Sequence, residues 1–178
     1  MPTPLSHAAV PIAARIVLGE RLVSNRLLWT GVAGSILPDL DVVAFTLGIP
    51  YDHPLGHRGF THSVFFAASV ALLAATCFRK LQATFAIAFL FIFVSVASHG
   101  VLDAFTSGGK GIAFLWPFYD GRYFARFRPI IVAPIEPSLF FTKTGIYVLY
   151  SELLWIWIPG SLAALAATLW KRRRSSSG

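Results

Sequence analysis

Ser98-His99-Gly100-Val101-Leu102-Asp103 closes the most apolar run in the chain, Phe85 to Ala97, which carries no charge. That run and its flanks read as one long helix, Gln82 to Phe105. His99 and Asp103 are four residues apart, which on a helix places both on one face, one turn apart. An imidazole and a carboxylate so placed can hold one metal ion between them. Without a partner they would be costly to bury, so the rest of the chain is expected to bring more such groups to this point.

The surrounding composition says what this helix is embedded in. Of 178 residues, 56% are hydrophobic and only 13% charged, where a soluble domain has about 25% charged. The chain is therefore expected to be an all-α, polytopic membrane protein, with about five membrane helices and a metal site at one membrane face. A single helical domain is expected over residues 1–170, followed by a basic, Ser-rich, disordered tail at 171–178. Net charge is +7, read mainly as basic residues anchoring helix ends and secondarily as attraction for an anionic substrate. Cys77 is the only cysteine, which excludes an intrachain disulfide and a thiolate metal cluster. Met1 to Ala14 has no Lys or Arg, so no cleaved signal peptide is expected.

Four further apolar stretches accompany the long helix. Leu5 to Gly19 carries His7 near its start. Leu27 to Gly48 is interrupted by Pro38-Asp39-Leu40-Asp41, where Pro38 is expected to kink or break the helix. Ser63 to Phe78 follows a loop rich in His, Pro and Gly, with Thr61 or Ser63 as its cap. Gly145 to Trp170 is the last, with Glu152 inside it. The segment from Thr106 to Thr144 is too long for a simple connection and is expected to be a functional loop or lid.

Arg15, Arg21 and Arg26, then Arg79-Lys80, then Lys171 to Arg174, fall at alternate ends of these stretches. The positive-inside rule puts them in the cytoplasm, with the N-terminus outside and the C-terminus inside. His7, Asp39, Asp41, His57, His62, His99 and Asp103 then fall near the outer ends. His53 is set apart from this set, Glu152 is expected to pair inside the bundle, and Trp116 is expected to mark the interface. Arg122, Arg126 and Arg128 read as a solvated or lipid-facing charge run before a phosphate clamp. No glycine-rich nucleotide loop, nucleophile elbow or His-Glu-x-x-His motif is present, and nothing points to nucleic acid.

The early His7, Leu37-Pro38-Asp39-Leu40-Asp41, His57-Arg58-Gly59-Phe60-Thr61-His62-Ser63, Ser98-His99-Gly100-Val101-Leu102-Asp103 and Leu115-Trp116-Pro117-Phe118 resemble, in this order, the YdjM-like family. Its members are bacterial inner-membrane proteins described as predicted membrane-bound metal-dependent hydrolases. The order of His and Asp residues is also similar, more distantly, to the zinc-dependent phospholipase C and P1-type nuclease group. That group has a further His-x-x-x-Glu pair near its end, and here no His follows His99; one or two metal ions are expected rather than three.

The resulting expectation is a hydrolase of the bacterial inner membrane, acting on a phosphoester or lipid-linked ester through water activated by a divalent metal, zinc first. Metal ligands are expected among His7, Asp41, His57, His62, His99 and Asp103. Asp39 is expected as base or orienting acceptor and Arg58 as a group steadying an anionic oxygen. Membrane lipids and an anionic ester are the expected partners. The rival is a non-catalytic membrane protein, or a metal or proton transporter, built on the same His/Asp cluster.

Overall fold

The structure is a computed structural model, and it describes residues 1–176. Its elements are α1 (Pro4–His7), α2 (Ala9–Leu18), α3 (Asn25–Ile36), a 3-10 turn (Leu37–Val42), α4 (Val43–Thr46), a second 3-10 turn (Phe60–His62), α5 (Val64–Ala75), α6 (Phe85–Ala104), α7 (Pro137–Phe140), α8 (Lys143–Glu152), a π-helical turn (Leu153–Trp157) and α9 (Ile158–Ser176). No strand forms among the described residues, only two isolated bridges, Thr106 with Ile130 and Ile112 with Tyr123. The protein is a helical membrane protein.

The helix starts follow local chemistry. Ser24, Ser63 and Thr84 each accept a hydrogen bond from the backbone N–H three residues on, satisfying a donor that the first helical turn leaves free. Ser63, rather than Thr61, is thus the cap of α5. Pro38 has no N–H to continue α3, so the chain tightens into the 3-10 turn at Leu37. That tighter winding buries Asp39 and Asp41 and leaves Leu40 between them 64% exposed.

Among the described residues, three segments are long and apolar enough to cross a membrane: Asn25–Thr46, Phe85–Ala104 and Lys143–Arg174. The other two apolar stretches form the shorter helices Pro4–Leu18 and Val64–Ala75. At 1.5 Å per residue, the twelve residues of α5 reach roughly 18 Å of a hydrocarbon core about 30 Å thick. The Ser-rich tail, expected to be disordered, continues α9 through the basic run to Ser176. Lys and Arg are good helix formers and complement the dipole at a helix C-terminus. The rest of that tail, Ser177 and Gly178, lies outside the described residues.

The core is built on small residues. Ala67, Ala71 and Ala75 form a stripe along α5, buried in one cluster with Ala88, Phe91, Ile92 and Val96 of α6, Leu27 of α3 and Val23 just before it. Close approach of this kind is how helices pack in lipid, where apolar burial alone does not drive them together. A Cβ added at Gly31 of α3 would lie 2.5 Å from the Phe91 ring and 2.9 Å from Ser95 Oγ. Outward faces remain apolar: Leu72, Leu73, Leu90, Leu162 and Leu165 are exposed, as on a lipid-facing surface.

The two ends of the bundle differ in charge. At one end Ser24 Oγ donates to the Leu81 carbonyl, Arg26 to the Lys80 carbonyl and Lys171 to the Val17 carbonyl, which gathers the three basic clusters. The His and Asp residues lie at the other.

Gly31→Val is expected to force α3 away from α6 at an overpacking cost of about 1–3 kcal/mol. Thermal unfolding in detergent should show it as a lowered midpoint, while Trp29→Leu, on the exposed face of the same helix, should leave the midpoint nearly unchanged.

Candidate metal centre

The end of α6 delivers His99 and Asp103, both fully buried. Gly100 between them lets the chain that carries His62 come close: a Cβ there would meet the His62 carbonyl oxygen at 2.9 Å. His99 Nδ1 donates to the Ser35 carbonyl at 2.7 Å. That bond fixes the tautomer of the neutral ring and turns the Nε2 lone pair inward.

Around His99 Nε2 stand His62 Nε2 at 3.0 Å and Asp39 Oδ1 at 3.2 Å, and Asp103 Oδ2 is 3.4 Å from His62 Nε2. His7 joins from α1. Its ring stacks on His99 at 3.6 Å, and its Nε2 lies 3.7 Å from Asp39 Oδ2 and 3.8 Å from Asp103 Oδ1. Two triads have donor atoms close enough to share one ion, His7 with His99 and Asp103, and Asp39 with His62 and His99.

Asp41 and His57 stand one step outside these triads. Asp41 Oδ1 is 2.5 Å from His57 Nδ1, and Oδ2 accepts from the Arg58 backbone N–H at 3.0 Å and the Thr61 hydroxyl at 2.7 Å. His62 Nδ1 lies 3.2 Å from the same Oδ2. Asp41 is thus occupied in orienting others, and the His62 contact leaves Nε2 facing the cluster. Burial of His62 works to lower its pKa, but Asp103 and Asp41 outweigh it and raise it to about 9. The negative field that holds a proton there would equally hold a cation.

Arg58 is the fixed positive charge of the site. Its Nε is 3.0 Å from Asp103 Oδ2, NH1 donates to the Gly108 carbonyl and NH2 to Thr106 Oγ1, with the residue 1% exposed. Its backbone φ of 63° is in the left-handed region, uncommon for a residue with a side chain and found where surrounding contacts hold it. Of the buried carboxylates Asp39, Asp41 and Asp103, only Asp103 meets this guanidinium. Both oxygens of Asp39 and of Asp103, and both ring nitrogens of His7, are buried without a hydrogen-bond partner. Unpartnered polar atoms in such number are rare in native interiors and point to a missing ion or water.

The 106–142 segment covers this end of the bundle. The Ala113 N–H donates to the Arg58 carbonyl, the Val64 N–H to the Phe114 carbonyl, and Arg122 to the His57 and Tyr51 carbonyls. Arg122, read from sequence as solvated or lipid-facing, therefore staples the covering segment to the His57 loop. Trp116 packs edge-on against Phe60, ring centres 4.9 Å apart. Glu152 pairs within the bundle, accepting from the Thr3 and Ser6 hydroxyls at 2.7 Å each, which ties α8 to the segment that carries His7. His53 is exposed, and its ring accepts from the Leu55 N–H two residues on. Thr106 and the Ser35 carbonyl belong to the site without any signal in the sequence. The first is one of several threonines in a loop, and the second is a backbone atom.

The apolar bundle and its buried ionisable end define a multi-helix membrane protein with a polar constellation on one side. The chain belongs to the YdjM inner membrane protein family, whose model matches residues 1–175. It is 45% identical over 175 residues to the inner membrane protein YbcI of Escherichia coli (strain K12), a match covering 98% of this chain and all of that protein. No solved structure matches it.

Removing the Arg58 charge should strand the Asp103 carboxylate. Arg58→Leu is expected to cost about 3–5 kcal/mol. Arg58→Leu with Asp103→Leu should recover much of that in thermal unfolding; a double variant no better than the single would contradict the pairing.

Proposed function

We propose that this protein is a membrane-bound, metal-dependent hydrolase of a phosphoester or lipid-linked ester. The observation that carries the reading is the convergence of Asp39, His62 and His99, with the triad of His7, His99 and Asp103 beside it, and no hydrogen-bond partner for the Asp39 or Asp103 carboxylate. Ligands bound at about 2.0–2.1 Å in a tetrahedron lie roughly 3.3 Å from one another. The contacts of 3.0 and 3.2 Å from His99 Nε2 to His62 and Asp39 suit that spacing. The donor set of imidazoles and carboxylates suits a divalent ion, zinc first.

In this reading Asp39, His62 and His99 would hold the cation, with Asp103 beside them, and the Ser35 carbonyl and Asp41 orient the two imidazoles. The expected roles of Asp39 and Asp41 are exchanged, because Asp41 is taken up by His57, Arg58, Thr61 and His62. Arg58 compensates Asp103 rather than standing free for an anionic oxygen. A divalent cation supplies Lewis-acid polarisation of the ester and acidifies water. His7 Nε2, beside Asp39 and Asp103, is placed to accept a proton, and the 106–142 segment excludes bulk water. A transporter would need polar groups continuing through the bilayer. Glu152 is drawn to Thr3 and Ser6, near His7, which supports the hydrolase reading over that one.

Purified protein is expected to hold a stoichiometric divalent metal by elemental analysis. His99→Ala and Asp39→Asn should lose most of it. Asp41→Asn should keep the site but weaken affinity by about 10–100-fold. Equal metal in all four proteins would remove the centre. Turnover on a panel of phosphoesters and lipid esters tests the reaction, and no turnover by the metal-loaded protein would overturn it.

The site is further proposed to face away from the cytoplasm, since basic residues at span ends are retained inside. In a Cys77→Ser background, a cysteine at Phe118, which is 85% exposed, should react with an impermeant maleimide on intact cells, and one at Arg173 should not. The opposite pattern would invert the topology and leave the ligand set unchanged.

A further inference from the structure

The segment that supplies Asp39 and Asp41 also forms one wall of a cavity of about 370 Å³. Leu37, Val43, Ala44 and Leu47 line that side, and Leu55 and Phe66 the other. The cavity narrows in character toward one place, where Asp41 and Thr61 are its acidic and hydroxyl groups. Asp41 is the residue bonded to His57 and set against His62, so this apolar cavity adjoins the candidate centre directly.

Its mouth faces the membrane. Leu37, Val43, Ala44 and Leu47 lie in or beside Asn25–Thr46, a segment apolar and long enough to span. Leu40, Val43, Leu47 and Leu55 are each more than half exposed. Water does not favour such a rim, and the acyl region of a bilayer does. The volume lies within the roughly 300–1,000 Å³ of small-molecule sites. A single flexible hydrocarbon chain suits a cavity of this size and apolar lining.

A second cavity, of about 270 Å³, lies on the other side of His57 and is lined by Tyr51, His57, Arg58 and Gly109. The cations around it already have partners: Arg58 is bound to Asp103 and Thr106, Arg122 to backbone carbonyls, and Lys110 to Asp52. No side-chain cation among these is spare for an anion, so an anion clamp of arginines and lysines is not supported, and the apolar cavity is the better determinant of what binds.

We propose that this cavity holds one acyl chain of the substrate, which enters sideways from the bilayer and brings its ester to Asp41 and Thr61 at the edge of the His/Asp cluster. The proposal rests on the hydrolase reading and narrows its substrate to a lipid carrying at least one long acyl chain.

The test uses full-length protein in vesicles of phosphatidylethanolamine and phosphatidylglycerol, with a trace of phosphatidylglycerol bearing a photoreactive group midway along one acyl chain. Irradiation and peptide mapping should find adducts concentrated on residues 37–47 and 55–66. Ala44→Trp fills the cavity, and Leu47→Gln, at an exposed position that tolerates change, makes its mouth polar. Each should cut those adducts about tenfold while adducts on Leu72, Leu73 and Leu165 persist. Adducts spread evenly over all lipid-facing helices, or unaffected by both variants, would overturn the proposal, as would crosslinking of the 37–47 peptide to a second copy of the chain. The readout does not depend on catalysis. Local adducts without turnover of any ester would sink the hydrolase reading and leave the chain-binding cavity standing; turnover of short, soluble phosphoesters as fast as of long-chain lipids would do the reverse.

Discussion

Asp103 is a fully buried carboxylate at the end of an apolar membrane helix, and Arg58 Nε at 3.0 Å is the charge that makes its burial tolerable. A carboxylate taken out of water without compensation is among the most expensive groups a fold can contain. Much of this end of the molecule follows from meeting that cost. Arg58 is held between Asp103, Thr106 and Gly108, with its backbone at φ 63°. Its remaining donors need acceptors, and Thr106 and the Gly108 carbonyl supply them. The 106–142 segment therefore turns back over the site instead of running out to solvent.

Compensation by Arg58 is incomplete. Of these carboxylates it reaches Asp103 alone, and Asp39 and Asp103 are left without hydrogen-bond donors. A fold that only needed rigidity would have paired them or left them out. The protein instead fixes the rings around them. The Ser35 carbonyl holds His99, Asp41 is set against His62, and stacking on His99 holds His7. Four segments far apart in the chain are thus constrained to one small volume before any ligand arrives.

Such precision depends on how closely the helices pack. The alanine stripe of α5 and Gly31 of α3 allow α6 to lie tightly between them, and Gly100 lets the His62 turn sit on α6 itself. A larger residue at Gly100 would press on the His62 carbonyl and disturb the approach of His62 to His99. The exposed apolar surface outside this core is the complement of the same arrangement: small residues face inward for packing, large ones outward toward lipid.

The amino-acid sequence by itself determined the helical membrane class, the apolar stretches, the break at Pro38 and the residue types of the site. Those features are local or periodic: hydropathy, charge placement and His-x-x-x-Asp spacing are legible within a few turns. It also carried the family resemblance, since His57 to Ser63 and Ser98 to Asp103 are contiguous motifs. Only the tertiary structure decided which members of those motifs face one another. Asp39 and Asp41 are two residues apart and look equivalent in sequence, yet one points at His99 and the other at His57, because the 3-10 turn rotates them to different neighbours. Arg58 read as free to meet an anion and is instead bound to Asp103, a partner 45 positions away that no local pattern could reveal. The Ser35 carbonyl has no side-chain signature at all. Contacts between distant segments depend on the packing of whole helices, and that is set by the summed shape of the core rather than by any single stretch.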